Sequence, residues 1–139
     1  MTTDEKPWTL GVDHVGLTVR DLEQSRRFFC DCLGWTVWGE NPSYPAVFVT
    51  DGSNRLTLWQ VEDPGSNVQF DRRKNVGLHH LALKVGDLDT LHRLFERVKS
   101  WPGVEVEFAP ELLSKGPKKH CMIREPGGTR LELTCLPQS

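Results

Sequence analysis

The sequence predicts an α+β fold built from two βαβββ modules. Three observations lead there. The phrase "GVDHVGLTVRDL" (Gly11–Leu22) returns as "GLHHLALKVGDL" (Gly77–Leu88), at a constant offset of 66 residues. Each copy alternates in polarity like a strand and then takes up the spacing of an amphipathic helix. Three short strand-like stretches, set off by turn residues, follow each helix. Two copies are too few for a solenoid, which stacks three or more. They suit two like modules packed into one domain, here over residues 10–136.

The elements follow in order. In the first copy Val12, His14, Gly16 and Thr18 share one strand face, and Val15, Leu17 and Val19 share the other. In the second copy His80, Ala82 and Lys84 oppose Leu81, Leu83 and Val85. The aliphatic face belongs against a helix. The histidine face carries small residues and is left open. Asp21 and Asp87 are suited to N-cap the helices, since a short carboxylate accepts from the free amides of a first turn. Leu22, Phe28, Phe29 and Cys32 form the first apolar stripe, which stops at Gly34. Leu88, Leu91, Leu94, Phe95 and Val98 form the second, which stops before Pro102-Gly103. The offset persists here, pairing Phe29 with Phe95 and Trp35 with Trp101. Further strands are expected over Trp35–Glu40, Ala46–Thr50 and Arg55–Val61, then over Val104–Phe108, His120–Arg124 and Arg130–Cys135. Asp51-Gly52 and Pro126-Gly127-Gly128 carry hairpin-turn chemistry. Module one is thus about residues 10–62 and module two about 76–136, with a polar linker over 63–75.

The last strand of each module explains the duplication. "RLTLWQ" (Arg55–Gln60) and "RLELTC" (Arg130–Cys135) match at Arg-Leu and at Leu58 with Leu133, and differ at Thr57 against Glu132. The leucines must face the helices, so Glu132 faces the opposite, open side with His14 and His80. An inward carboxylate is costly unless it is paired or binds a metal. Two histidines and one carboxylate on a common cavity form a divalent-metal triad with coordination positions left for substrate and water. His79 has the opposite parity and is expected on the helix side or in a local hydrogen bond. His92 is expected at the solvent face of the second helix, and His120 in the pocket wall.

Composition sets the outer limits. The chain has 139 residues and a formal charge of −2, so no basic footprint for nucleic acid exists. No apolar run approaches the ~20 residues that cross a bilayer, and "MTTDEKPW" is acidic and polar rather than leader-like. A cytoplasmic protein is the expectation. Cys30, Cys32, Cys121 and Cys135 include no CxxC pair. Cys30 and Cys32 are two apart in a helical pattern and face different sides, so free thiols in a reducing compartment are expected.

The stretches "DHVGLTVRDLEQSRRFFCDCLGW", "GLHHLALKVGDLDTL" and "EPGGTRLELT" resemble the vicinal oxygen chelate superfamily, the glyoxalase / bleomycin-resistance / extradiol-dioxygenase group, over about Val12 to Leu136. The resemblance implies paired βαβββ modules, each curling into a half-barrel around a divalent metal, with ligands from the first and last strand of each module. Those positions are His14, Thr57, His80 and Glu132. Thr57 departs from the Glu, Gln or His of many glyoxalases and epimerases, and a threonine hydroxyl is a poor ligand. The set left, His14, His80 and Glu132, is that of the fosfomycin-modifying transferases and extradiol dioxygenases. The resemblance leaves Fe, Mn, Ni, Zn and Mg open as the metal. It also implies a homodimer, since members build sites either within one chain or by exchanging modules between two.

Three functions are compatible with this site. In a glyoxalase-like lyase or isomerase, Glu132 would be the catalytic proton carrier. In a ring-cleaving dioxygenase, His120 is the candidate base. A metal-free binder of the bleomycin-resistance kind would use the cleft alone. Thr57, Trp59 and Phe48 are expected to line the pocket with His120, so a planar or aromatic small molecule is the expected ligand. Trp35 and Trp38 have opposite parity, so at most one of them joins the wall. Gln60 has the wrong parity to replace Thr57 without a bulge. Tyr44 is the only tyrosine, which counts against a phosphonate-binding thiol transferase. The loop "LLSKGPKKH" (Leu112–His120) is read as a solvated surface loop.

Overall fold

The computed structural model describes residues 6–135. The elements run β1 (Val15–Val19), α1 (Leu22–Arg27), a π-helical turn (Phe28–Cys32), β2 (Thr36–Asn41), β3 (Ala46–Thr50) and β4 (Arg55–Gln60). They continue with β5 (Leu81–Lys84), α2 (Leu88–Val98), β6 (Glu105–Leu112), β7 (Lys119–Arg124) and β8 (Arg130–Cys135). Two four-stranded sheets result, ordered β1-β4-β3-β2 and β5-β8-β7-β6. In each the first strand lies parallel to the last, and the other pairs are antiparallel.

The registers show how deep the duplication goes. Gly16 stands opposite Thr57 in the β1–β4 ladder, and Ala82 opposite Glu132 in the β5–β8 ladder. Thr57 and Glu132 therefore occupy equivalent places in the two sheets. β1 begins at Val15 rather than Val12, because β4 starts only at Arg55, after the Asp51–Asn54 turn. β5 likewise begins where β8 can pair with it. His14 and His80 thus stand one residue ahead of their strands. β6 runs past its expected end at Phe108 to Leu112, with register shifts between Val106 and Phe108 and again before Glu111.

The helices dock on the aliphatic faces. Asp21 accepts from the Gln24 amide at 3.1 Å and Asp87 from the Thr90 amide at 2.7 Å, so both caps form. Leu17, Val19, Leu56, Leu58, Phe28 and Phe29 join Leu91, Phe95, Val98, Leu131 and Leu133 in one core that spans both modules. After Arg27 the helix widens, and Leu33 N–H donates to the Phe28 carbonyl at 3.0 Å. Neighbours in a regular α-helix point about 100° apart. The wider turn lets adjacent Phe28 and Phe29 both be fully buried. Gly34, at φ 82°, then reverses the chain, and Trp35 packs edge-on to Phe29.

Between the modules the joint is polar and specific. Glu125 is fully buried and accepts from Ser25 Oγ at 2.7 Å, from the Gly127 amide and from the Thr129 amide. The Arg20 amide donates to the Gly127 carbonyl at 3.0 Å. A Cβ on Gly127 would overlap Ser25 and Val19, so only glycine permits this approach. Arg97 of α2 closes the far side by donating to the carbonyls of Asp31 and Cys32. No helix among the described residues is long and apolar enough to cross a membrane.

Candidate functional site

The open face of the second sheet gathers the charged residues. Glu132 projects from the middle of β8 and is 7 % exposed. His80, just ahead of β5, places Nε2 3.0 Å from Glu132 Oε1. His120, the second residue of β7, stands opposite Thr134, which sets it diagonal to Glu132 on the same face. Its Nδ1 lies 3.0 Å from Glu132 Oε2, and its ring packs on Phe108. Both carboxylate oxygens are thus held by imidazole nitrogens. A buried carboxylate is costly unless it is paired, hydrogen-bonded or bound to a metal, and these two imidazoles satisfy both of its oxygens.

Further along this face lies a cluster that strand alternation does not disclose. Glu107, at the register shift in β6, takes three hydrogen bonds from the Arg130 guanidinium at 2.8, 3.0 and 2.8 Å. Arg124 and Arg72 approach the same carboxylate at 3.6 and 3.8 Å. The Arg130 hydrogen bonds hold the Glu107 carboxyl below its ordinary pKa. His79 is exposed and local in its contacts: Nδ1 is 2.8 Å from His80 Nδ1 and 3.3 Å from Arg130 Nη1. Partial desolvation, then the Arg130 charge, pushes the His79 pKa down. His92 faces solvent on α2.

The open face of the first sheet is aromatic. Trp59 Nε1 donates to Thr57 Oγ1 at 2.9 Å, and both lie over Gly16. Phe48 stands opposite Thr57 on β3, its ring centroid 6.2 Å from that of Trp59. Tyr44 packs on Trp59 at 4.6 Å, and Trp38 on Phe48 at 5.3 Å under the Arg55 guanidinium. Trp35 belongs to the core instead. Tyr44 comes from the β2–β3 turn, and no periodicity could have placed it. Gln60 points away from Thr57 and caps the start of α1 by accepting from the Leu22 amide at 2.8 Å.

His14 is set apart. It is half-exposed and turned to Asp13, whose carboxylate oxygen lies 2.7 Å from its Nδ1. That hydrogen bond holds the Asp13 carboxyl below its usual pKa. Among the described residues, no three His, Cys, Asp or Glu side chains gather as a metal cage. His80 and His120 each contact Glu132 without completing such a cage, and His14 is turned to Asp13 instead.

Known proteins share this architecture. Over 99 % of this chain and 85 % of the relative, the sequence is 29 % identical to a 2-epi-5-epi-valiolone epimerase of Actinomyces sp. It is 32 % identical to the mitochondrial methylmalonyl-CoA epimerase of Bos taurus, over 59 % of this chain and 51 % of that one. The glyoxylase/bleomycin resistance protein/dioxygenase domain from Frankia sp. EAN1pec superposes with a TM-score of 0.77 at 26 % identity, over 94 % of this chain and 95 % of that chain. The family model for the Glyoxalase/Bleomycin resistance protein/Dioxygenase superfamily matches residues 11–133, and with its two sheets of identical order the chain belongs to that superfamily.

Proposed function

We propose that the protein is a divalent-metal-dependent isomerase or lyase that moves a proton at a carbon beside a substrate carbonyl. The observation that carries this is Glu132, a buried carboxylate whose two oxygens are each 3.0 Å from an imidazole nitrogen. The donor set fits a metal. Two ligands bound at ~2.1 Å in adjacent positions lie ~3 Å apart, which is the separation of His80 Nε2 and Glu132 Oε1. A bound divalent ion would act as a Lewis acid on the substrate oxygens.

The third ligand in this reading is His14 of a second copy. β1 and β5 are the edge strands of their sheets, and the segments leading into them expose Val12, Val76 and Leu78. Unpaired edges flanked by apolar side chains invite a partner strand. A twofold dimer that sets module one of one chain against module two of the other brings His14 to His80 and Glu132. It also lays the Trp59–Phe48 wall over the substrate. Glu132 then accepts the substrate proton, and His120, at hydrogen-bond distance from its far oxygen, takes up or returns that proton. Near-full-length similarity to an epimerase supports proton transfer over ring cleavage.

The test joins metal analysis to subunit mixing. Protein purified without chelator should hold one divalent ion per site. His80→Ala and Glu132→Gln should each lose it, while His79→Ala keeps it. His14→Ala and Glu132→Gln chains, each inactive alone, should recover about a quarter of the sites when mixed, because a twofold heterodimer rebuilds one of its two sites. Deuterium uptake by a 2-oxo or thioester substrate in heavy water reads the activity. Oxygen consumption with Fe(II) and catechols would move the assignment to a dioxygenase. Tight binding of planar molecules by metal-free protein, without turnover, would make it a sequestering protein.

A further inference from the structure

Asp13 and His79 hold the same place in the two modules, since they are separated by the 66-residue offset of the repeat. Each stands directly ahead of a histidine of the proposed ligand set, and each meets that histidine at the same ring nitrogen. Asp13 Oδ2 is 2.7 Å from His14 Nδ1, and His79 Nδ1 is 2.8 Å from His80 Nδ1. Both pairs lie just ahead of β1 and β5, outside the ladders in which neighbouring side chains would point to opposite faces. The residue types differ, a carboxylate against an imidazole, while the contact is the same.

The direction of each hydrogen bond follows from donor chemistry. An ionised carboxylate only accepts, so His14 donates through Nδ1–H and its neutral ring keeps the lone pair on Nε2. In the His79–His80 contact either ring could donate, and Arg130 decides between them. A guanidinium has no acceptor, and Arg130 Nη1 lies 3.3 Å from the same His79 Nδ1. That nitrogen therefore accepts, and the shared proton belongs to His80 Nδ1. Arg130 is itself fixed by three hydrogen bonds to Glu107. The His80 nitrogen left for a ligand bond is Nε2, which faces Glu132 at 3.0 Å.

We infer that Asp13 and His79 are positioning residues, each fixing the tautomer and ring orientation of the histidine that follows it so that Nε2 is presented to a divalent ion. The inference rests on the metal reading of His14, His80 and Glu132. An imidazole held at its other nitrogen is a more basic ligand, and its orientation is set before the ion arrives. The repeat thus carries over a holding contact as well as a ligand.

The first arm of the test uses no metal. In full-length protein stripped by chelator, at about pH 9 where ordinary imidazoles are neutral, nitrogen-15 shifts read through the ring carbon protons should place the His14 proton on Nδ1. In Asp13→Ala it should move to Nε2, the nitrogen that a free neutral imidazole favours. The second arm measures Zn(II) affinity by competition with a chromophoric chelator. Asp13→Ala and His79→Ala retain all three ligands, so each should still take up the ion, but about tenfold more weakly. Asp13→Asn and His79→Asn, whose side-chain oxygen can stand in as the acceptor, should recover most of that loss. Urea midpoints should stay at the wild-type value in all four variants, whereas a merely structural role would move midpoint and affinity together. A wild-type protein that takes up no Zn(II) while its His14 proton sits on Nδ1 overturns the metal reading on which the inference rests. A His14 proton on Nε2 in the wild type, or normal Zn(II) uptake with affinity unchanged in both alanine variants, overturns the inference itself.

Discussion

The two sheets have one strand order and a shared register in their β1–β4 and β5–β8 ladders, yet open faces of opposite chemistry. Thr57 and Glu132 occupy the same ladder position, beside Gly16 and Ala82. In the first sheet that position supports an indole, Trp59 Nε1 on Thr57 Oγ1, within a patch formed with Tyr44 and Phe48. In the second it carries a buried carboxylate between two histidines. The aliphatic faces stayed alike because both serve one core. The open faces were free to differ, since each needs only to present its own half of a site. Duplication here preserves the scaffold and divides the chemistry.

The largest test breaks the chemical half. Glu132→Gln should reduce metal affinity and turnover a hundredfold or more, read by metal analysis and proton exchange, whereas Thr57→Ala at the equivalent position should leave metal content unchanged. The next asks whether the scaffold halves are equal. Leu58 and Leu133 are matching core residues, 0 % and 1 % exposed. Alanine at either should cost about 2–5 kcal/mol in urea unfolding. A large inequality would show that one module carries the stability.

The inter-module joint comes third. Ser25→Ala leaves Glu125 short of one donor in a buried site, and should cost about 1–3 kcal/mol by the same measurement. The helix caps are smaller and again paired: Asp21→Ala and Asp87→Ala should each cost about 1 kcal/mol. The smallest effect concerns pH. The Glu107 carboxyl lies below its ordinary value near 4.5, held there first by the Arg130 hydrogen bonds. A depressed carboxylate stabilises the fold fully above that ordinary value, and the contribution is lost as pH falls through the lower, folded value. Glu107→Gln should flatten this acid limb by less than about 1 kcal/mol, since the pair is in part open to solvent.

Much of this organisation was legible beforehand. The repeat, the two caps, the aliphatic faces and the shared parity of Thr57 with Trp59 and of Glu132 with Arg130 all rest on local periodicity, and each lies where strand or helix geometry puts it. Nearest-neighbour chemistry is enough for these: a strand turns over every residue, and an aspartate ahead of a helix has amides within reach. Other features depend on how elements meet. The approach of His120 to Glu132 comes from the β7–β8 register, and the arginine cluster from a register shift that moves Glu107 out of alternation. The π-helical turn answers the need to bury two adjacent phenylalanines. Ser25 finds Glu125 across 100 residues of chain. The distance of His14 from Glu132 within one chain is likewise a matter of how whole modules pack. Periodicity orients a side chain on its own element, but only tertiary packing decides which other element it faces.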